Sequence, residues 1–392
     1  MNDWLVLIVI YTALFISSPL IAVLHELGHA FAYLILTKPN KIDIYIGSYG
    51  NKKNNIAFKL GKLHFYIKKS FPFIKGIGLC HSSKQEPSYI NEIIILLAGP
   101  LFTVVAACIP FIIILNTGAN LLVLTSCYIF LGFSVLSLIN NLIPKDINKK
   151  YKVYLANDGK QILFALNLRQ AFPIYLEAAE HYKNKKFEKA AISLKLVLEK
   201  AHKTSDDILR LIIFTSIETK QYDDAHFYLT ELENKFKLST NDLLMKATLL
   251  SLTQRNNEAI TTYNEVLKKD KNNILALNNI GAALLEKEEY FVARHAFEKA
   301  IKLDPDFYAP IGNLGHLEIL EGNLETGKKL VNQCLSVNEN ASDAYKVLGI
   351  YYLKIKDINQ ATINFNKAKE LDNDIDLSKY EDELKALNEE VV

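Results

Sequence analysis

Apolar residues are unevenly spread along the chain. They crowd into three runs, 4–36, 90–115 and 119–143, each long enough as a helix to cross the hydrocarbon core of a bilayer. Beyond about residue 171 apolar positions instead recur every three or four residues among Lys, Glu and Asn, the pattern of short amphipathic helices packed side by side. The pattern predicts a mainly all-α protein: a polytopic helical membrane domain over 1–170, followed by an α-solenoid over 171–392. Segment 38–89 breaks the helical pattern. There Ile56, Phe58 and Leu60, then Leu63, Phe65 and Ile67, alternate about Gly61 and Lys62, which predicts a β-hairpin and a small sheet inserted in the membrane domain.

Charge orients the runs. Segment 38–89 holds ten lysines against Asp43 and Glu86, and Lys145, Lys149, Lys150 and Lys152 follow the third run. The "NTGAN" link between the second and third runs has no charge, and the N-terminus carries only Asp3. By the positive-inside rule the lysine-rich side is cytoplasmic. A multi-pass integral membrane protein with residues 171–392 in the cytoplasm is therefore expected, with the lipid bilayer as its surroundings. No cleavable signal peptide is expected, because "MND" has no basic residue and the first run is too long for an h-region. A net charge of +2 makes no case for nucleic acid. Cys80, Cys108, Cys127 and Cys334 form no CxxC pair, so any metal must be held by His and carboxylate.

The first run contains "LIAVLHELGHAFAYLILT", residues 20–37. Ionisable side chains in hydrocarbon are expensive, so their presence points to a function. On a helix His25 and His29 lie on one face about 5–6 Å apart, within reach of one Zn²⁺. Glu26 beside them can take a proton from a metal-bound water, whose pKa zinc lowers to about 7. Gly28, Ala30 and Ala32 leave room for a neighbouring helix. A catalytic zinc usually has a third protein ligand. Two acidic candidates follow the third run, Asp146 and Asp158. Asp158 is favoured because Asn157-Asp158-Gly159 is turn-like and opens an amphipathic segment. His64 and His81 have no ligand spacing to another His and read as surface residues.

These motifs resemble the site-2 protease family of membrane-embedded zinc metalloproteases. The matches are "HELGH" (25–29), "LLAGPLF" (96–102), "NLIP" (141–144) and "DG" (158–159), in the family's order over about residues 15–165. One departure is that thirteen residues, Lys145 to Asn157, separate the Pro from the Asp, more than in many members. The resemblance implies an intramembrane endopeptidase with His25, His29 and Asp158 on zinc and Glu26 as general base. Asn141 would be a polar group near the substrate carbonyl. It also implies that a sheet near the predicted hairpin can receive an extended membrane protein or peptide substrate as an added strand, satisfying backbone groups freed by unwinding.

The C-terminal pattern has a period of 34 residues. Its clearest unit, 274–307, carries Leu277, Ile280, Gly281, Tyr290, Ala293, Phe297, Ala300 and Pro305 at tetratricopeptide spacing. Unit 308–341 has Gly327 where Ala is usual, and 342–375 is regular. Weaker copies begin near 171, 206 and 240, making about six repeats, and 377–390 reads as a capping helix. Such an array has no chemistry of its own; it binds a cytoplasmic protein or peptide. The expected function is a zinc-dependent intramembrane protease with a recruiting repeat domain. The alternative is a catalytically inactive, membrane-tethered adaptor. A soluble zinc peptidase is excluded by the apolar runs.

Overall fold

The computed structural model describes residues 3–48, 50, 55–69, 78–83, 88–118, 120–147 and 155–391. It divides into two compact units, Met1–Leu211 and Ile212–Val392.

In the first unit, α1 (Asp3–Leu36), α2 (Tyr89–Thr117) and α3 (Leu121–Leu142) pack together. Among the described residues three helical segments are long and apolar enough to cross a membrane: Ile10–Leu36, Tyr89–Thr117 and Leu121–Leu142. Their outward faces are apolar: Tyr11 and Phe15 on α1, Ile109 and Ile112 on α2, and Leu136 and Ile139 on α3 are all exposed. Exposed apolar faces of this extent mark a surface for protein or membrane contact. Asn120 caps α3, its side chain accepting from the Leu122 N–H, and the Gly118 N–H closes α2 on the Ile114 carbonyl.

A four-stranded sheet follows α1: β1 (Ile42–Ile46), β2 (Asn55–Leu60), β3 (Leu63–Lys68) and β4 (Gly78–Ser82). Its order is β2-β3-β1-β4, with β1 parallel to β3 and antiparallel to β4. The alternating segment forms the β2–β3 hairpin, turned at Gly61 with φ of 59°. β1 and β4 complete the sheet beyond the hairpin: "IDIYI" is buried throughout, and "GLCHS" pairs antiparallel with it. Ile42, Ile44 and Ile46, with Leu63 and Phe65, pack against Ala30 on α1, so the sheet lies beside the helix that carries the His pair.

After α3 the chain makes a two-residue ladder, β5 (Asp146–Ile147) with β6 (Leu155–Ala156), then α4 (Asp158–Leu168). The first compact unit does not stop at residue 170. Phe172 and Ala178 are buried, the Tyr175 ring meets Phe164 edge-on, and the His202 N–H donates to the Asn167 carbonyl. These contacts fasten α5 (Phe172–Lys183) and α6 (Phe187–Lys200) to α4.

Helix pairs continue as α7 (Asp206–Glu218) with α8 (Tyr222–Lys235) and α9 (Thr240–Leu252) with α10 (Asn256–Lys269). Next come α11 (Ile274–Glu286) with α12 (Tyr290–Leu303) and α13 (Tyr308–Leu320) with α14 (Leu324–Val337). The last are α15 (Ser342–Lys354) with α16 (Ile358–Leu371), then the single helix α17 (Ser378–Val391). The turn inside each pair uses one left-handed residue: Lys185, Lys220, Gln254, Glu288, Gly322 and Lys356. Within the pairs small residues face large ones. A methyl on Gly281 would strike the Phe297 ring, and one on Gly349 the Phe365 ring. Gly327 has the same origin: a methyl there would meet Ile319 and the Gly315 carbonyl, so α13 and α14 approach too closely for the usual Ala.

Candidate metal centre

The site begins with close backbone contact between α1 and α2. A methyl on Gly28 would overlap Ala98, Gly99 and Phe102, so the two helices touch at the "AGP" stretch. Directly beside it, a methyl on Gly99 would overlap the His29 imidazole. The small residues of α2 thus make the space that His29 fills. The His29 Nδ1–H donates to the Ile95 carbonyl at 2.6 Å. That bond fixes the tautomer and leaves the Nε2 lone pair to face His25 and Asp158.

The third component arrives from α4. Asp158 is the first residue of this helix, and its neighbour Gly159 packs so tightly on the end of α3 that a methyl would strike the Leu142 carbonyl. His25, His29 and Asp158 each offer one ligand atom, and these atoms lie within 4.8 Å of one another. His25 Nε2 is 3.1 Å from His29 Nε2 and 3.1 Å from Asp158 Oδ2, and His29 Nε2 is 3.6 Å from Asp158 Oδ1. His29 and Asp158 are buried, and His25 nearly so.

These residues fit a zinc ion. Bonds of about 2.0–2.1 Å in tetrahedral array separate donors by about 3.3 Å; the two imidazole nitrogens are 3.1 Å apart, and each lies 3.1–3.6 Å from one or the other oxygen of Asp158. Proton sharing does not account for the cluster as well. An ion pair between His25 and Asp158 serves one edge, leaving the His29 lone pair facing His25, and the buried Asp158 Oδ2 has no well-angled hydrogen bond despite its distance. Among the described residues this is the one group of three or more His, Cys, Asp and Glu side chains with metal-binding spacing.

Glu26 is buried, 6% exposed, with its carboxylate against Gly78 of β4, where a methyl would collide with it. A cavity of about 480 Å³ opens over the cluster, lined by His25, Glu26, His29, Gly78, Asn141 and Asp158 among others. Asn141 faces this cavity, but its Nδ2 donates to the Ser137 carbonyl at 3.0 Å and to Ser137 Oγ at 3.2 Å, back onto its own helix. Asp146 lies in the β5 ladder, its backbone paired with Ala156. Cys80 also lines the cavity; burial, with the Glu26 and Asp43 carboxylates nearby, pushes its thiol up.

His81 is exposed as the sequence suggests, whereas His64 differs from that expectation. Strand pairing sets Asp43 between His64 on β3 and His81 on β4, so these residues form one row. His64 is partly buried, with Nδ1 3.8 Å from Asp43 Oδ1, while His81 is exposed. No local spacing could show this, because the row is made by pairing three separate strands.

The repeat half has recognisable relatives. Residues 274–307 match the tetratricopeptide repeat family model. A BBSome complex member BBS4 homolog from Drosophila melanogaster is 22% identical over 200 residues, 50% of this chain and 41% of that protein. A probable UDP-N-acetylglucosamine–peptide N-acetylglucosaminyltransferase SPINDLY from Hordeum vulgare is 26% identical over 169 residues, 41% of this chain and 18% of that protein. The chain thus spans less than half the length of these relatives. Among solved structures, a tetratricopeptide repeat protein from Parabacteroides merdae is similar at a TM-score of 0.42 and 17% identity, covering 55% of this chain and 98% of that one. The pilus biogenesis factor PilW is similar at 0.44 and 14%, covering 56% and 98%. The tetratricopeptide half is a scaffold for protein–protein interaction.

Proposed function

We propose that this chain is an intramembrane zinc endopeptidase of the site-2 protease type, joined to a tetratricopeptide scaffold that recruits a substrate or regulator. The observation that carries the reading is the convergence of His25, His29 and Asp158 beside the buried Glu26. These three residues would hold the ion. Zinc bound there would supply a Lewis acid for the scissile carbonyl and activate water at neutral pH. Glu26 would take the proton of the attacking water and pass it to the leaving amine. Asn141 would turn from Ser137 to donate to the substrate carbonyl, replacing two hydrogen bonds to its own helix.

The sheet supports a place for the substrate. Among the described residues β4 is an edge strand, paired with β1 alone, and Gly78, Leu79 and Cys80 line the cavity. An extended segment of a membrane protein added to this edge would run past Glu26, with its freed backbone groups paired. The edge next to the cavity is β4, whereas the hairpin expected from sequence places β2 at the far edge. The apolar outer faces of α1–α3 support membrane integration, and the lysine-rich segments support a cytoplasmic repeat half. A reporter fused to the C-terminus tests that orientation; an external signal would overturn it.

The deciding experiment compares the purified full chain with Glu26→Gln. Zinc content and cleavage of a single-span test substrate are both measured. Retained zinc with lost cleavage supports the reading, and normal cleavage by Glu26→Gln sinks it. The second reading, a membrane-tethered adaptor without protease activity, is favoured by the comparisons, since the family match falls within the repeats. Wild-type protein that neither binds zinc nor cuts would establish it over the first.

A further inference from the structure

We infer that Asn157 is a positioning residue that holds Asp158 at the metal centre, compensating for the long insertion between Pro144 and Asp158. The inference rests on the metal-site reading above. Asn157 is 2% exposed, and its side chain uses both ends. Its Oδ1 accepts from the Lys145 N–H at 3.0 Å and the Lys160 N–H at 3.0 Å. Its Nδ2 donates to the Ile143 carbonyl at 2.6 Å and the Asn141 carbonyl at 2.9 Å, with the Asn140 carbonyl at 3.3 Å. Its backbone N–H donates to the Lys145 carbonyl at 3.1 Å, and its own carbonyl accepts from the Gln161 N–H at 3.1 Å.

These bonds solve two problems with one residue. α3 ends at Leu142, and its last carbonyls have no partners within the helix. Beside apolar spans such groups are costly unless protein satisfies them. Asn157 satisfies two of them, and the carbonyl beyond the helix end as well. The same amide caps α4, whose first residue is Asp158. The chain therefore leaves at Lys145 and returns at Asn157, with departure and return tied at one point. Whatever the length between them, Asp158 re-enters at a fixed place beside α3. Gly159 completes the arrangement by letting the α4 backbone touch Leu142. An Asp or Ser would cap α4, but neither could also donate to two carbonyls from one planar group.

The test is metal affinity of the full-length protein, measured by chelator competition with zinc, together with the visible spectrum of the cobalt-substituted protein. Asn157→Ala should weaken zinc binding about 10–100-fold, the usual effect of removing a group that orients a ligand, and should alter the cobalt spectrum. Asn157→Asp keeps both accepted bonds and loses the donors. It should fold, yet still bind zinc at least several-fold more weakly, and it decides the matter if the Ala variant does not fold. Wild-type affinity and an unchanged spectrum in Asn157→Asp would overturn the inference while leaving the metal site standing. A wild-type protein that binds no zinc would overturn both, so the two failures are distinguishable.

Discussion

The Ile95 carbonyl of α2 accepts the Nδ1–H of His29 at 2.6 Å, so one helix sets which nitrogen of the other faces Asp158. Gly99 lies one turn further along α2 and leaves the room that the ring occupies. Gly99→Ala should therefore displace His29 and cut zinc affinity about tenfold or more, in line with the loss of a ligand-orienting contact. Gly132→Ala on α3 is the control, because a methyl there meets nothing within 4 Å. Metal analysis of both variants checks the expectation. Equal zinc content would mean that the ring has another resting place.

Asp158 stands in the cluster, and Asp146 is the other carboxylate that follows α3, so experiment has to separate the two. Asp158→Ala should empty the site and abolish cleavage, since three protein ligands fall to two. Asp146→Ala should leave zinc and activity within about twofold, because no ligand is lost. The reverse pattern in a metal assay would move the third ligand to Asp146.

The parts legible in the sequence share a physical feature: they are local. His25 and His29 are one helical turn apart, and the 34-residue period repeats a helix pair that packs mainly on itself and its neighbours. The Asp158 position was harder, because the insertion breaks the spacing and only the β5–β6 ladder with Asn157 restores it. Asn157 itself looks like an ordinary helix cap in sequence. Its donation to α3 is a long-range contact that no local pattern encodes. The row of His64, Asp43 and His81 was hidden for the same reason. Gly327 stood out as an irregularity but gave no cause until Ile319 and the Gly315 carbonyl were seen against it.

His316 on α13 gives the repeat half a pH dependence. Burial, together with the charges of Lys346 and Lys354, lowers its pKa from 6.5 to about 4, and its buried Nε2 has no hydrogen-bond partner among the described residues. Near pH 7 the ring is neutral folded or unfolded, and the depressed pKa costs nothing. As pH falls below about 6.5 the unfolded chain takes up a proton that the folded state refuses. Stability should then fall by up to about 1.4 kcal/mol per pH unit until about pH 4, with partial exposure reducing the slope. His316→Gln should flatten the profile across this window. Urea midpoints followed by helical circular dichroism between pH 4 and 7 read the difference. Parallel profiles for the two proteins would show that other groups govern the acid limb.

The turns inside the helix pairs offer a test of the repeat energetics. Gln254 holds φ of 59° in the same turn where the next-but-one repeat has Gly322 at 89°. The left-handed conformation costs a residue with a Cβ about 1–2 kcal/mol, and glycine adopts it without that strain. Part of the gain is offset by the greater backbone freedom glycine loses on folding, about 0.5–1 kcal/mol. Gln254 is exposed, so its side chain contributes little packing. Gln254→Gly should therefore stabilise the α9–α10 pair by about 0.5–1 kcal/mol. Native-state hydrogen exchange of the full chain resolves this pair from the rest, and slower exchange should be confined to α9, α10 and their immediate neighbours. Faster exchange there would mean that the chain entropy of glycine outweighs the relief of strain, and that the non-glycine turns are held by their surroundings at no net cost.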